Sequence, residues 1–387
     1  MPKTRDSSIF SCLCAWDEGD VGELLLTGVE LEGFRNHERW TTVVGSGLTI
    51  LVGRNAAGKT NALEAIAVTT SGRSFRPYSW PDLVREGEAA ARVVIRGVRE
   101  GVPFTVTLTL SREGTREYKL DGQTTQAALL GRKIPTVSFV PEDLSLSKGA
   151  AEERRGALDR IGERLSAGYA RVRREYGRVL KQRNSLLRSG GSLSHLDPWS
   201  ERLSAVGAAL VIQRARLLVR MEPELEKAQR ALGRGEHFEM GISASWSERP
   251  MAAGEVISLG REGVSSAIRV TADKESEEER SRGFSLVGPH KDDITFLLEG
   301  RDARTFSSQG QHRTLALAWK AAEVTVVRHV TGYQPILLLD DVMSELDEDR
   351  RQALSREVMG KAQAIVTTTN LDYFAEEVLS TAVVARV

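Results

Sequence analysis

Gly53-Arg54-Asn55-Ala56-Ala57-Gly58-Lys59-Thr60 is the stretch whose reading decides the fold. It fills the pattern G-x-x-x-x-G-K-[ST] of a phosphate-cradling loop, the Walker A motif. Apolar Leu48 to Val52 before it read as a strand, and Ala62, Leu63, Ile66 and Ala67 after it recur at helical spacing. In that context glycines let the backbone close on phosphate, while successive N–H groups and the helix N-terminus attract the anion. Lys59 would reach the outer phosphates and Thr60 would ligate Mg²⁺. Residues 53 to 60 with Asn61 are therefore the predicted ATP site.

A matching carboxylate pair follows some 280 residues later. Pro335-Ile336-Leu337-Leu338-Leu339-Asp340-Asp341 reads as a buried parallel strand with two acids at its end. Asp340 is expected to hold Mg²⁺ and Asp341 to orient or deprotonate the attacking water, so Lys59, Asp340 and Asp341 are the catalytic candidates. ABC proteins commonly carry Glu at the second position, and the shorter arm of Asp341 favours slow turnover. Ser308-Gln309-Gly310-Gln311, before a helix patterned from Thr314 to His329, resembles the ABC signature that closes over a partner's nucleotide. Ser344 and Asp347 fall at the spacing of a D-loop. The strand Ala364 to Thr369 carries threonines where many ABC proteins place a switch histidine, and no convincing Q-loop glutamine lies between Ser79 and Val93. His195, His237 and His329 read as surface or packing residues.

Outward from these motifs, 387 residues suffice for one large or two moderate domains. Fifty-three basic and fifty-three acidic residues cancel, so any nucleic-acid contact must come from a local patch. Residues 151–190 supply one, with eleven Lys or Arg against five Asp or Glu; Arg173, Arg174 and Lys181, with Arg73 and Arg76, are the candidate DNA contacts. Nothing resembles a base-reading module, so binding independent of sequence is expected. Apolar runs are strand-sized, which leaves no membrane span. Cys12 and Cys14 are too close for an ordinary disulfide and too few for a metal site, in keeping with a reducing cytoplasm.

The predicted organisation has four parts: residues 1–22, a disordered extension, with Val21 or Leu24 an alternative start; 23–142, the N-terminal part of an ATPase head; 143–235, a helical lobe; and 236–387, the rest of the head. Asp273 to Glu279 reads as a solvated acidic loop. The fold class is α/β, an ABC-type P-loop head with a mixed sheet flanked by helices, a helical second lobe and no long coiled coil.

Further segments carry a more specific resemblance: Gly33-Phe34-Arg35-Asn36, Asn61 to Ile66, Gly72-Arg73-Ser74-Phe75-Arg76, Glu142-Asp143-Leu144, Arg154-Arg155 with Leu158-Asp159, Gln182-Arg183-Asn184 and Gly288 to Asp293. In this order they resemble the RecF family from Leu24 onward. That resemblance implies an ATP-dependent homodimer with slow hydrolysis and binding to duplex DNA near gaps or junctions. It also implies cooperation with RecO and RecR to load RecA. Ala150 to Ala157 is less aromatic and proline-rich than is usual there. Two other readings stay open at this stage: the nucleotide-binding subunit of a transporter, and a scaffold whose assembly ATP controls without hydrolysis.

Overall fold

A computed structural model describes residues 21–190, 193–232, 236–357, 359 and 362–387. The described residues open with β1 (Leu24–Phe34), β2 (His37–Val43) and β3 (Leu48–Val52), followed by α1 (Lys59–Ser71). Strands β4 (Ala90–Arg99), β5 (Val102–Ser111), β6 (Arg116–Leu120) and β7 (Gln123–Thr125) come next, then α2 (Ala127–Lys133) and β8 (Thr136–Phe139). Three helices, α3 (Ala151–Leu165), α4 (Ala167–Arg188) and α5 (Leu193–Leu232), precede β9 (Phe238–Ser243), α6 (Ala253–Lys274), α7 (Ser276–Arg282), β10 (Asp293–Leu298) and β11 (Arg301–Asp302). The last part holds α8 (Ala303–Phe306), α9 (Gln309–Thr331), β12 (Ile336–Asp340), α10 (Glu348–Glu357), β13 (Ala364–Thr368), α11 (Glu376–Thr381) and β14 (Val383–Arg386).

The organising layer is a parallel sheet in the order β14-β3-β13-β12-β8. Every residue of β12 and β13 is buried, as a strand covered on both faces requires. Beside it lies an antiparallel sheet, β2-β1-β4-β5-β6-β7, whose β5 alternates buried Val106, Leu108 and Leu110 with more accessible threonines. The Gln363 side chain joins the two sheets, accepting from Leu26 N at 2.8 Å and donating to Leu26 O at 2.7 Å. A buried amide with both ends satisfied fixes the relative position of the sheets at little net cost.

On the other face, α9 lays Leu315, Ala318, Trp319, Ala322 and Val326 against a core shared with α3, α5 and β10. Gly332, at φ 76°, closes α9 by donating to Arg328 O. One apolar interior runs through Phe139, Leu158, Leu218, Trp319 and Leu339, so the core does not divide at residues 142 or 235. Helix α5, 40 residues long and the longest described, packs against α4, α6 and α9 rather than projecting as an arm.

Two expectations need amendment. Residues 273–279 are not a loop: α6 and α7 meet there, and Glu279 is fully buried because it accepts from Arg183 Nη2 of α4 at 2.6 Å. Continuous helix starts at Ala151, after a short 3₁₀ turn at Pro141–Ser145. The predicted extension lies outside the described residues up to residue 20, with Cys12 and Cys14; Gly22 donates to Gly332 O. Among the described residues no helix is long and apolar enough to cross a membrane.

Candidate nucleotide site

The loop 53–58 leaves the C-terminal end of β3 and feeds α1. In the sheet Leu51, Thr367 and Asp340 lie side by side on β3, β13 and β12. Those three strand ends bring the distant motifs together. Thr60 Oγ1 donates to Asp340 Oδ1 at 2.8 Å, and Thr367 Oγ1 donates to the same oxygen at 2.7 Å. Thr367 Oγ1 also accepts from Asp341 N at 2.9 Å, which pins the turn after β12. Asp341 adopts φ +50°, uncommon for a residue with a Cβ, and its Oδ1 is buried with no hydrogen-bond partner. Burial, with the adjacent Asp340 charge, pushes the Asp341 carboxyl above the ordinary aspartate range despite Lys59 and Ser344.

Lys59 is buried, and its Nζ donates to Gly53 O at 2.8 Å and Arg54 O at 2.9 Å. Gly58 sits at φ +115°, where a Cβ would lie 2.7 Å from Asn36 Oδ1 and from the His37 ring. The β1–β2 turn thus buttresses the loop. Asn36 Nδ2 donates to Ala57 O at 3.1 Å, His37 Nε2 meets Gly58 O at 3.0 Å, and Asn61 Nδ2 donates to Asn36 Oδ1 at 2.7 Å. Burial holds the His37 ring below its ordinary pKa, so it stays neutral at pH 7 and Nε2 is the donor.

Behind this wall Glu64, fully buried on α1, accepts from Arg35 Nε at 3.0 Å and Nη2 at 2.9 Å, from Ser74 Oγ at 2.6 Å, and from Arg76. Arg76 also donates to Asn61 Oδ1 at 2.7 Å. A cleft of about 350 Å³ is lined by Asn55, Lys59, Thr60, Arg76, Asp341 and Thr367, among others. Ser308 to Gln311 do not line it. Instead Ser308 caps α9 reciprocally with Gln311, Ser308 N donating to Gln311 Oε1 at 2.8 Å. Ser344 Oγ donates to Asp341 O at 2.7 Å, so the D-loop starts from the acid pair.

The family described as RecF/RecN/SMC N terminal domain matches residues 25–385. A DNA replication and repair protein RecF of Heliobacterium modesticaldum is 36% identical over 369 residues, 94% of this chain and 97% of that one. The chain belongs to the RecF family. A RecF of a Cyanothece species is 34% identical over 372 residues, 94% of this chain and 96% of that one. Among solved structures, the recombination mediator protein RecF with ATPrS superposes with a TM-score of 0.82 at 28% identity, covering 91% of this chain and 94% of that one. RecF with ATP gives a TM-score of 0.77 at the same identity, covering 90% and 94%.

In this RecF-family chain the five candidate DNA contacts fall into two groups. Arg76 stands at the wall of the nucleotide cleft, Arg73 is paired with Glu163, and Arg173 donates to Asp159 at 2.9 Å and Glu163 at 2.8 Å. Each meets a partner distant in sequence. Arg174 and Lys181, by contrast, are exposed, and Arg171, Arg178 and Arg188 share their face at spacings of three, four and seven. None of these five forms an ion pair among the described residues. The opposite face of α4 buries Tyr169, Tyr176, Val179 and Leu187. The segment Gly288 to Asp293 serves the lobe: Pro289 O accepts from Arg214, and Asp293 accepts both arms of Arg154. Sequence reasoning missed Thr367 and the wall formed by Asn36, His37 and Glu64; it also did not single out Arg171, Arg178 and Arg188 on the exposed basic face, for which the spacing of three, four and seven was the available signal.

Proposed function

We propose that the chain is a slow ATPase of DNA repair that dimerises with ATP on duplex DNA near gaps or junctions. In this reading it acts with RecO and RecR to promote RecA loading. The observation that carries it is the array of Lys59, Thr60, Asp341 and Thr367 around one cleft, with Asp340 accepting from Thr60 and Thr367 and the signature outside that cleft. On nucleotide binding Lys59 would exchange the carbonyls of Gly53 and Arg54 for phosphate oxygens. Thr60 Oγ1 and Asp340 Oδ1, a hydroxyl and a carboxylate 2.8 Å apart, form a hard-oxygen donor set that fits Mg²⁺. When bound, the ion neutralises charge on the phosphate oxygens.

Asp341 is the candidate base: its raised pKa brings it nearer the working pH, and Thr367 fixes its backbone. Ser308 and the first amides of α9, a helix of 23 residues, suit an anion supplied by a second copy. A dimer of two such heads supplies two composite sites related by symmetry. The exposed basic face of α4 suits a phosphate backbone read without regard to sequence.

The test is steady-state ATP hydrolysis with and without gapped duplex DNA, at rising salt. Stimulation by DNA that fades as salt rises supports the reading. Turnover indifferent to DNA, or none at all, overturns it.

A further inference from the structure

Arg350, on α10 just past the D-loop, reaches back to the signature helix. Its Nη2 donates to Gly310 O at 3.0 Å, and its Nη2 and Nε approach Thr314 Oγ1 at 3.2 and 3.3 Å. Its third arm, Nη1, pairs with the Asp347 carboxylate, whose other oxygen accepts from Arg350 N at 3.0 Å. The side chain is only 14% exposed. A Cβ on Gly310 would lie 2.9 Å from Nη2, so the guanidinium covers that glycine. One planar fork therefore holds a carbonyl, a hydroxyl and a carboxylate from two separate motifs, which a single ammonium cannot match.

Continuity runs further. Ser344 Oγ donates to Asp341 O, and Val342 and Met343 are fully buried, so the acid pair, D-loop and signature form one stiff unit. We propose that Arg350 is a positioning residue that sets signature and D-loop in the single geometry in which they are presented to the partner subunit's nucleotide. This rests on the composite dimer proposed above. Arg350 lies outside the cleft of its own chain. Its effect therefore falls on the other protomer's nucleotide.

Mixed dimers test this. Arg350→Ala alone should bind nucleotide as the parent does but lose ATP turnover by about ten- to a hundred-fold, the scale on which misplacement by roughly 1 Å acts. Arg350→Lys should recover little of it. Mixed with Lys59→Ala, the Arg350→Ala protomer lends an intact Walker A loop and receives an intact signature. Turnover should then rise well above that of either variant alone, since only the mixed dimer carries a sound site. A Ser308→Arg and Lys59→Ala mixture is the control. Recovery in both mixtures supports the proposal. Recovery in the control alone shows that Arg350 serves its own subunit or its folding, and overturns it. If neither recovers, the composite site is wrong and the proposal falls with it.

Discussion

Replacing Glu64 by Gln removes the one negative charge that Arg35 and Arg76 share behind the Walker A loop. The carboxylate is fully buried, while the two guanidinium groups keep 21% and 35% of their side-chain exposure. Breaking a fully buried pair from one side costs about 3–5 kcal/mol, and the residual access of both arginines to water lowers this to about 2–3 kcal/mol. The pH dependence has a definite sign. Burial alone would raise the Glu64 pKa, but hydrogen bonds from Arg35 and Ser74 and the charges of Arg76 and Arg35 hold it below the ordinary glutamate value. Its contribution is thus complete above the unfolded pKa of ~4.3 and is lost as pH falls through the folded value. Urea unfolding of parent and Glu64→Gln, followed by circular dichroism, should separate by this amount at pH 7 and converge under acid. A separation below about 0.5 kcal/mol at pH 7, or one independent of pH, would refute the idea that this cluster is a tight buried ion pair.

Asp341→Asn should abolish hydrolysis while raising the melting temperature, because it relieves a carboxylate whose pKa folding raises. The raised pKa costs stability at neutral pH and the cost disappears below the unfolded value; a melting temperature that drops at pH 7 would contradict it. Gly58→Ala should cost nucleotide binding outright, since its Cβ would meet Asn36 and His37 at 2.7 Å on a left-handed backbone; retained affinity in titration calorimetry would show that the loop relaxes. Arg174→Glu with Lys181→Glu should weaken duplex binding and flatten its salt slope, whereas Arg173→Ala should chiefly destabilise the lobe; equal losses of affinity would erase the distinction between exposed and paired cations.

Much of the nucleotide cleft was legible because its parts are written as short patterns: glycines and a lysine after a strand, two acids after an apolar run. The wall was not. Glu64 looked like an ordinary helical glutamate, and nothing local announces that Arg35 and Arg76 converge on it from two sides. The same blindness to distant partners made 273–279 read as a loop, since Glu279 meets Arg183 only after 96 residues of chain. It also left the carboxylate partners of Arg73, Arg76 and Arg173 out of view. Thr367 registered only as a missing histidine, although its hydroxyl binds both acids of the pair, Asp340 through its side chain and Asp341 through its backbone. On α4 charge counting located the basic segment, and only the buried face, set by Tyr176 and Val179, showed which cations point outward.

The composite site is tested most directly by light scattering of the chain without nucleotide, with ADP and with ATP and Mg²⁺, alongside Lys59→Ala and Ser308→Arg. The account predicts a dimer for the parent with ATP alone and monomers for both variants throughout. A parent that stays monomeric with ATP yet hydrolyses it would contradict the account.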